Sequence, residues 1–154
     1  MFRTLRKQER ELASVETIEL LRTGEYGILS TVGEEGYAYG VPVSYAYFDE
    51  AVYVHCAPEG HKVDNIRYND KVSFCVVGKT CLLPEKFSTK YESVILFGRA
   101  SEVCDQEKRA ALVKLIEKYS PDHRERGEAY IEKACCQTRV IKIAVEHITG
   151  KARK

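Results

Sequence analysis

The chain has 154 residues, of which 44 % are hydrophobic, with 24 Lys and Arg against 23 Asp and Glu and a formal net charge of +1. That length suits one domain with a substantial core, and the balanced charge excludes the strong basic excess of a dedicated nucleic-acid binder. No stretch approaches the roughly 18 apolar residues of a membrane span, and the first eleven residues are basic without an apolar run, so no membrane partner and a cytoplasmic address are expected.

After an N-terminal arm over residues 1–11, residues 12–23 set Leu12, Val15, Ile18 and Leu21 at helical spacing, with Ser14 as N-cap and Gly24 as the stop. The period then changes to that of strands. Residues 26–32 form one strand, Gly33-Glu34-Glu35-Gly36 a hairpin loop, and residues 37–48 a long partner. Asp49-Glu50 turns the chain into a third strand over 52–56. Ala57-Pro58-Glu59-Gly60 is a turn and residues 61–68 a short helix. Residues 71–77 alternate Val72, Phe74 and Val76 on one face of a strand, and the polar stretch 78–90 reads as an irregular connection. Residues 93–100 carry a continuous apolar run, the pattern of a strand covered on both faces. Asp105 caps a helix to Tyr119 with Leu112, Leu115 and Ile116 inward. Ser120-Pro121-Asp122 breaks it, residues 127–135 suit another helix, 139–147 a closing strand, and 148–154 a C-terminal tail. Antiparallel strands with a few peripheral helices describe a single mixed α+β, mainly β, domain built on a barrel.

Six cysteines stand at Cys56, Cys75, Cys81, Cys104, Cys135 and Cys136. They form no Cys-x-x-Cys pair and have no His at zinc spacing, so they read as reduced packing residues and no metal site is expected. Three other features bear on chemistry. In the strand 37–48 the odd positions Tyr37, Tyr39, Val41, Val43, Tyr45 and Tyr47 are large, whereas Ala38, Gly40, Pro42, Ser44 and Ala46 are small. Successive side chains point to opposite faces, so one face is nearly bare and admits either a helix or a flat ligand close to the backbone. Pro42 donates no ladder hydrogen bond, which makes the strand an edge or a bulged one.

The second feature is the helix start at Gly60-His61-Lys62. Cations are disfavoured at the positive end of a helix, so Lys62 and His61 there suit an anion such as phosphate, unless they are simply surface residues. The third is His55, which alternation puts on the face of Tyr53, either as a structural histidine or as a hydrogen-bond or proton donor to a ligand. No nucleotide-binding glycine loop, nucleophile elbow or His-Glu-x-x-His occurs.

These residues resemble the pyridoxamine-phosphate-oxidase-like FMN-binding split-barrel family, and within it the Nim-type branch of nitroimidazole-resistance proteins. The resemblance spans nearly the whole chain. It is carried by Gly27-Ile-Leu-Ser-Thr-Val-Gly-Glu-Glu-Gly36, Tyr39-Gly-Val-Pro-Val-Ser44, the His55-Cys-Ala-x-x-Gly-His-Lys62 core, Asn69-Asp-Lys-Val-Ser-Phe74, Glu92-Ser-Val-Ile-Leu-Phe-Gly98 and Ile148-Thr-Gly-Lys151. It implies a six-stranded antiparallel split barrel that dimerises, with two FMN sites at the subunit interface and residues 93–100 at that interface. The flavin would lie along Val41, Pro42, Val43 and Ser44, and its phosphate would meet the turn from Cys56 and Ala57 through Gly60 to His61 and Lys62, with Asn65 nearby. His55 matches the histidine that marks the Nim branch near the flavin ring, and would be the catalytic residue.

By the same likeness the chain is a flavin-dependent oxidoreductase passing electrons from a nicotinamide or other donor to a small acceptor of the nitroimidazole type. Three alternatives stand beside it: a pyridoxamine phosphate oxidase, a non-catalytic flavin-binding protein, and a haem- or deazaflavin-binding relative. The true oxidases end in an arginine-containing substrate motif that His147-Ile-Thr-Gly-Lys-Ala-Arg-Lys154 does not show.

Overall fold

Period-two patterning dominates the chain. In a computed structural model describing residues 1–154, it produces one antiparallel sheet of seven strands. In chain order the elements are α1 (Ser14–Thr23), β1 (Gly27–Val32), β2 (Ala38–Val43), β3 (Ala46–Phe48), β4 (Ala51–Cys56), α2 (His61–Tyr68), β5 (Lys71–Leu83), β6 (Ser88–Val103), α3 (Asp105–Tyr119), α4 (Arg124–Ala134) and β7 (Arg139–Arg153). The strands lie in the order β2-β1-β5-β6-β7-β4-β3. The expected six strands become seven because residues 37–48 are two strands, at opposite edges of the sheet. Only Ser44 and Tyr45 separate those edges along the chain, so the sheet must curl until they nearly meet. The result is a barrel split between β2 and β3 rather than a closed one.

The break has a physical cause in Tyr45. Its ring is fully buried, its hydroxyl donates to the Leu21 carbonyl at the end of α1, and its N–H donates to the Tyr119 hydroxyl at 3.0 Å. Tyr119 in turn donates to the Glu25 carbonyl at 2.6 Å, so the two tyrosines fasten the corner to α1 and α3. Lys118 lies over the Tyr45 ring, its Nζ 3.6 Å from the centroid and without a hydrogen-bond partner. Burial pulls this amine down to about 8. The native state therefore binds fewer protons than the unfolded chain between pH 8 and 10.5, and its stability rises with pH across that window. The aromatic face of Tyr45 favours the cation and offsets part of its desolvation, which leaves a penalty of about 1 kcal/mol. Lys118→Met is accordingly expected to be about 1 kcal/mol more stable at pH 7, with the gain fading towards pH 10.5 in urea melts.

Two apolar layers follow from the alternation. Inside the curl, Leu29, Val52, Val54, Phe74, Val76, Leu96 and Ile143 are fully buried or nearly so, with α1 and α2 closing the layer through Leu21 and Ile66. On the outer side of β3, β4 and β7, Ala46, Tyr53 and Val140 pack under Leu112 and Leu115 of α3 and Ile131 of α4. α4 begins three residues before the expected start. Gly127, within it, lets α4 approach α3, since a Cβ there would stand 2.7 Å from Ile116.

Several expectations need correction. Ala13, not Ser14, is the N-cap of α1, and its N–H donates to Glu16 Oε2 at 3.3 Å. Val15, assigned to the apolar stripe, is 82 % exposed because Thr17 and Leu21 supply the buried positions. Cys104 holds the cap position assigned to Asp105. The polar stretch 78–90 is mostly strand. Thr80 pairs with Tyr91 and Leu83 with Ser88, so a backbone ladder stands where no apolar pattern announced one. The assigned tail also continues β7, pairing with β6 as far as Arg153. The β6 run is covered on one face only in the single chain, because Ile95 and Phe97 are 42 % and 40 % exposed.

β6 and β7 are the longest pair, and their register slips between Phe97 and Gly98. A Cβ at Gly98 would lie 2.2 Å from the Ala144 carbonyl oxygen, a backbone atom that cannot swing aside. Gly98→Val is expected to lower stability by about 2–4 kcal/mol, read as a lower urea midpoint at unchanged slope.

Candidate functional site

The bare face of β2 is exposed. Ala38, Gly40, Pro42 and Ser44 are open to solvent, while Val41 and Val43 are half-buried against the inner core and Tyr39 is half-buried beside His61. No helix covers the small residues, so close packing does not account for them. β2 is the edge strand that Pro42 demanded, paired on one side only, with Pro42 opposite Ile28.

Beside it stands the start of α2. Gly60 has φ of 147°, a conformation that favours glycine. Its carbonyl accepts the N–H groups of Val63 at 2.9 Å and Asp64 at 3.1 Å, leaving those of His61 and Lys62 at the open end of the helix. Arg67 pairs with Asp64 at 3.7 Å, but Lys62 has no acidic partner. The His61 ring stacks on Tyr39 of β2 with centroids 4.0 Å apart, which joins the helix start to the edge strand. Ala57 and Gly60 are exposed in the turn. Asn65 is instead 3 % exposed and donates to Thr31 Oγ1 at 3.0 Å, so it fastens α2 to β1 and faces away from the turn. Cys56 also points inward, where burial pushes its thiol up.

His55 lies at the end of β4, opposite Val140 of β7 and, as alternation required, on the side of Tyr53. The β3–β4 ladder ends at Ala46 opposite Tyr53, two residues before His55, and Lys62 at the start of α2 is near enough for its charge to act on the imidazole. His55 is exposed, yet enough protein surrounds the ring that desolvation, and secondarily the charge of Lys62, hold it below the ordinary imidazole value. At neutral pH it is therefore neutral, with one N–H to donate and one nitrogen to accept.

An uncovered edge strand, a helix start with an unpaired lysine and a neutral histidine thus share one corner, which can hold an anion and a flat group together. Residues 14–152 match the pyridoxamine 5'-phosphate oxidase family. The chain belongs to that family. No curated protein matches it.

Solved structures share the fold of this pyridoxamine 5'-phosphate oxidase family member. One, from Bacteroides thetaiotaomicron and assigned provisionally to 5-nitroimidazole antibiotic resistance, is 24 % identical with a TM-score of 0.79, over 92 % of this chain and 86 % of that one. The FAD- and haem-binding protein of Mycobacterium smegmatis is 19 % identical with a TM-score of 0.76, over 94 % and 74 %. A FAD-binding protein of Mesorhizobium loti is 23 % identical with a TM-score of 0.64, over 94 % and 98 %. This family member thus shares the fold of those structures, and no helix in it is long and apolar enough to cross a membrane.

Two groups of residues escaped the sequence reasoning about this family member. Tyr119 sets the corner between β2 and β3 from 74 residues away, and nothing in its neighbourhood distinguishes it from a helix-end tyrosine. The residues of α3 and α4 around His55 looked like ordinary amphipathic stripes, and only the inward-facing Leu112, Leu115 and Ile116 hinted at a shared wall.

Proposed function

We propose that the chain binds FMN and acts as a flavin-dependent oxidoreductase, passing electrons from a reduced nicotinamide to a small acceptor of the nitroaromatic kind. The observation that carries this reading is the uncovered edge strand β2, joined through the Tyr39–His61 stack to a helix start with an unpaired Lys62, in a member of this family. The residues fit the group. The N–H groups of His61 and Lys62, with the Lys62 ammonium, suit the phosphate, and the backbone of Val41, Pro42, Val43 and Ser44 suits a flat ring. A bound flavin would supply the electron transfer itself. The chain would position the ring, restrict water, and hold the acceptor by a hydrogen bond from neutral His55, which stores no proton at neutral pH. The provisional nitroimidazole-resistance description of the Bacteroides structure favours a nitro acceptor.

The oxidase alternative is disfavoured because residues 147–153 continue β7 against β6 and do not show the arginine-containing substrate motif of the true oxidases. A homodimer completes the reading. Val77, Ile95 and Phe97 form an exposed apolar strip on the outer face of β5 and β6, at 53 %, 42 % and 40 % exposure, and such a strip suits a second copy of the chain.

The test is the absorption spectrum after FMN is added and excess removed. Retained yellow flavin that NADH or NADPH reduces, and a nitroaromatic reoxidises, supports the proposal. A protein that takes up no FMN overturns it, and retained flavin that no nicotinamide reduces leaves a binding protein. Light scattering is expected to give twice the chain mass, and a single-chain mass would contradict the dimer.

A further inference from the structure

Between α3, α4 and the end of β4 lies a cavity of about 170 Å³ that neither the phosphate turn nor the bare strand uses. Protein interiors are close-packed, with few voids larger than a water molecule, so a space of this size calls for an occupant or an explanation. Its walls are Leu112 and Leu115 of α3 and Ile131 of α4, all under 9 % exposed, with Ile116 and Ala134 beside them. Its polar rim is His55 and Thr138, and Tyr130, 70 % exposed, stands at the mouth. The frame is fixed: Gly127 admits the close α3–α4 contact, and Lys108 Nζ donates to the Cys135 carbonyl at 2.5 Å. No lysine, arginine or carboxylate lines the space, and the one imidazole is held in its neutral form.

The geometry points to a binding site for a neutral, single-ring aromatic molecule carrying one hydrogen-bonding substituent, with the ring among the leucines and isoleucines and the substituent at His55. Each part of that class follows from an observation. A dry apolar cavity of about 150 Å³ accepts benzene, so the volume admits one ring and excludes two fused ones of drug size. The absence of cations in the lining excludes a carboxylate or phosphate, whose desolvation nothing there would offset. His55, the single rim group that both donates and accepts through a ring, selects a substituent able to do either. Because Lys62 of the proposed phosphate turn lies close enough for its charge to act on His55, a ring held here would present its substituent towards the place proposed for the flavin. The identification of this molecule as the electron acceptor rests on the proposed function; the binding itself does not.

The test uses phenol, toluene and benzoate as probes, titrated into the isotope-labelled protein with and without FMN and followed by amide chemical shifts. Phenol is expected to bind in the millimolar range or tighter, with shifts centred on Leu112, Ile131 and Thr138. Toluene should bind about fivefold more weakly for want of the hydrogen bond, and benzoate not at all. Ala134→Phe, which fills the cavity from its half-buried edge, should abolish the phenol shifts and leave FMN uptake intact, and Ala134→Leu serves if the larger residue prevents folding. Phenol shifts that are absent, lie elsewhere, or survive the filling variant overturn the inference. FMN uptake without phenol binding sinks the cavity alone, whereas phenol binding without FMN uptake sinks the flavin reading alone.

Discussion

Lys62→Ala is expected to weaken FMN binding by about 1.5–3 kcal/mol, roughly 10- to 150-fold, in fluorescence titration. The size follows from the arrangement around the helix start. Lys62 has no acidic partner to release it to, so in the unliganded chain its charge stands unopposed beside the positive end of α2, and a phosphate would gain both. Arg67→Ala on the same helix is the control. It removes an equal charge, but one paired with Asp64 at 3.7 Å, and should change FMN affinity by less than about 0.5 kcal/mol. If both variants weaken binding equally, the effect is general electrostatics and Lys62 is not a phosphate ligand. Salt should weaken the parent more than Lys62→Ala, because the contact being screened is then already gone.

Much of this corner was legible in the sequence, and the reason is local. The bounds of α2, residues 61–68, come from turn chemistry at Ala57-Pro58-Glu59-Gly60 and a helical register in the next eight positions. The bare face of β2 comes from strict alternation between residues 38 and 43, which needs no partner to read. Legibility ends where distant residues decide. Strand 37–48 is continuous by pattern, and it breaks only because Leu21, Glu25 and Tyr119 seize the chain at Tyr45. That break moves β3 to the far edge of the sheet, beside β4. The polar stretch 78–90 failed for a different reason. A hairpin arm with solvent on both faces is held by its backbone ladder and leaves no apolar alternation to find. Asn65, which the family resemblance places near the phosphate turn, is buried in the single chain, where Thr31 and the space left by Gly33 hold its amide.

His55→Ala is expected to slow acceptor reduction by about 10- to 100-fold, some 1.4–2.7 kcal/mol of barrier, while FMN remains bound. Stopped-flow separation of the two half-reactions locates the loss. Flavin reduction by the nicotinamide should change little, and reoxidation by a nitroaromatic should carry the effect, because the imidazole stands at the rim of the α3–α4 cavity rather than at the phosphate turn. The pH dependence separates a neutral hydrogen-bond donor from a proton store. Burial and the charge of Lys62 keep the folded-state value below the ordinary figure of about 6.5, so His55 is already neutral at pH 7 and reoxidation should be flat upward from there. As pH falls below about 6.5 the unfolded chain binds this proton before the folded one does, so stability should decline across that window. His55→Gln keeps an N–H donor that cannot titrate. It should recover part of the reoxidation rate and lose the acid-side dependence of both rate and stability. Should His55→Gln behave like His55→Ala at every pH while the fold and the flavin persist, the hydrogen bond assigned to His55 is wrong. Lys62→Ala adds an independent check on the same coupling: removing the nearby cation should raise the His55 titration midpoint, by less than burial depresses it, in a direct titration of the imidazole.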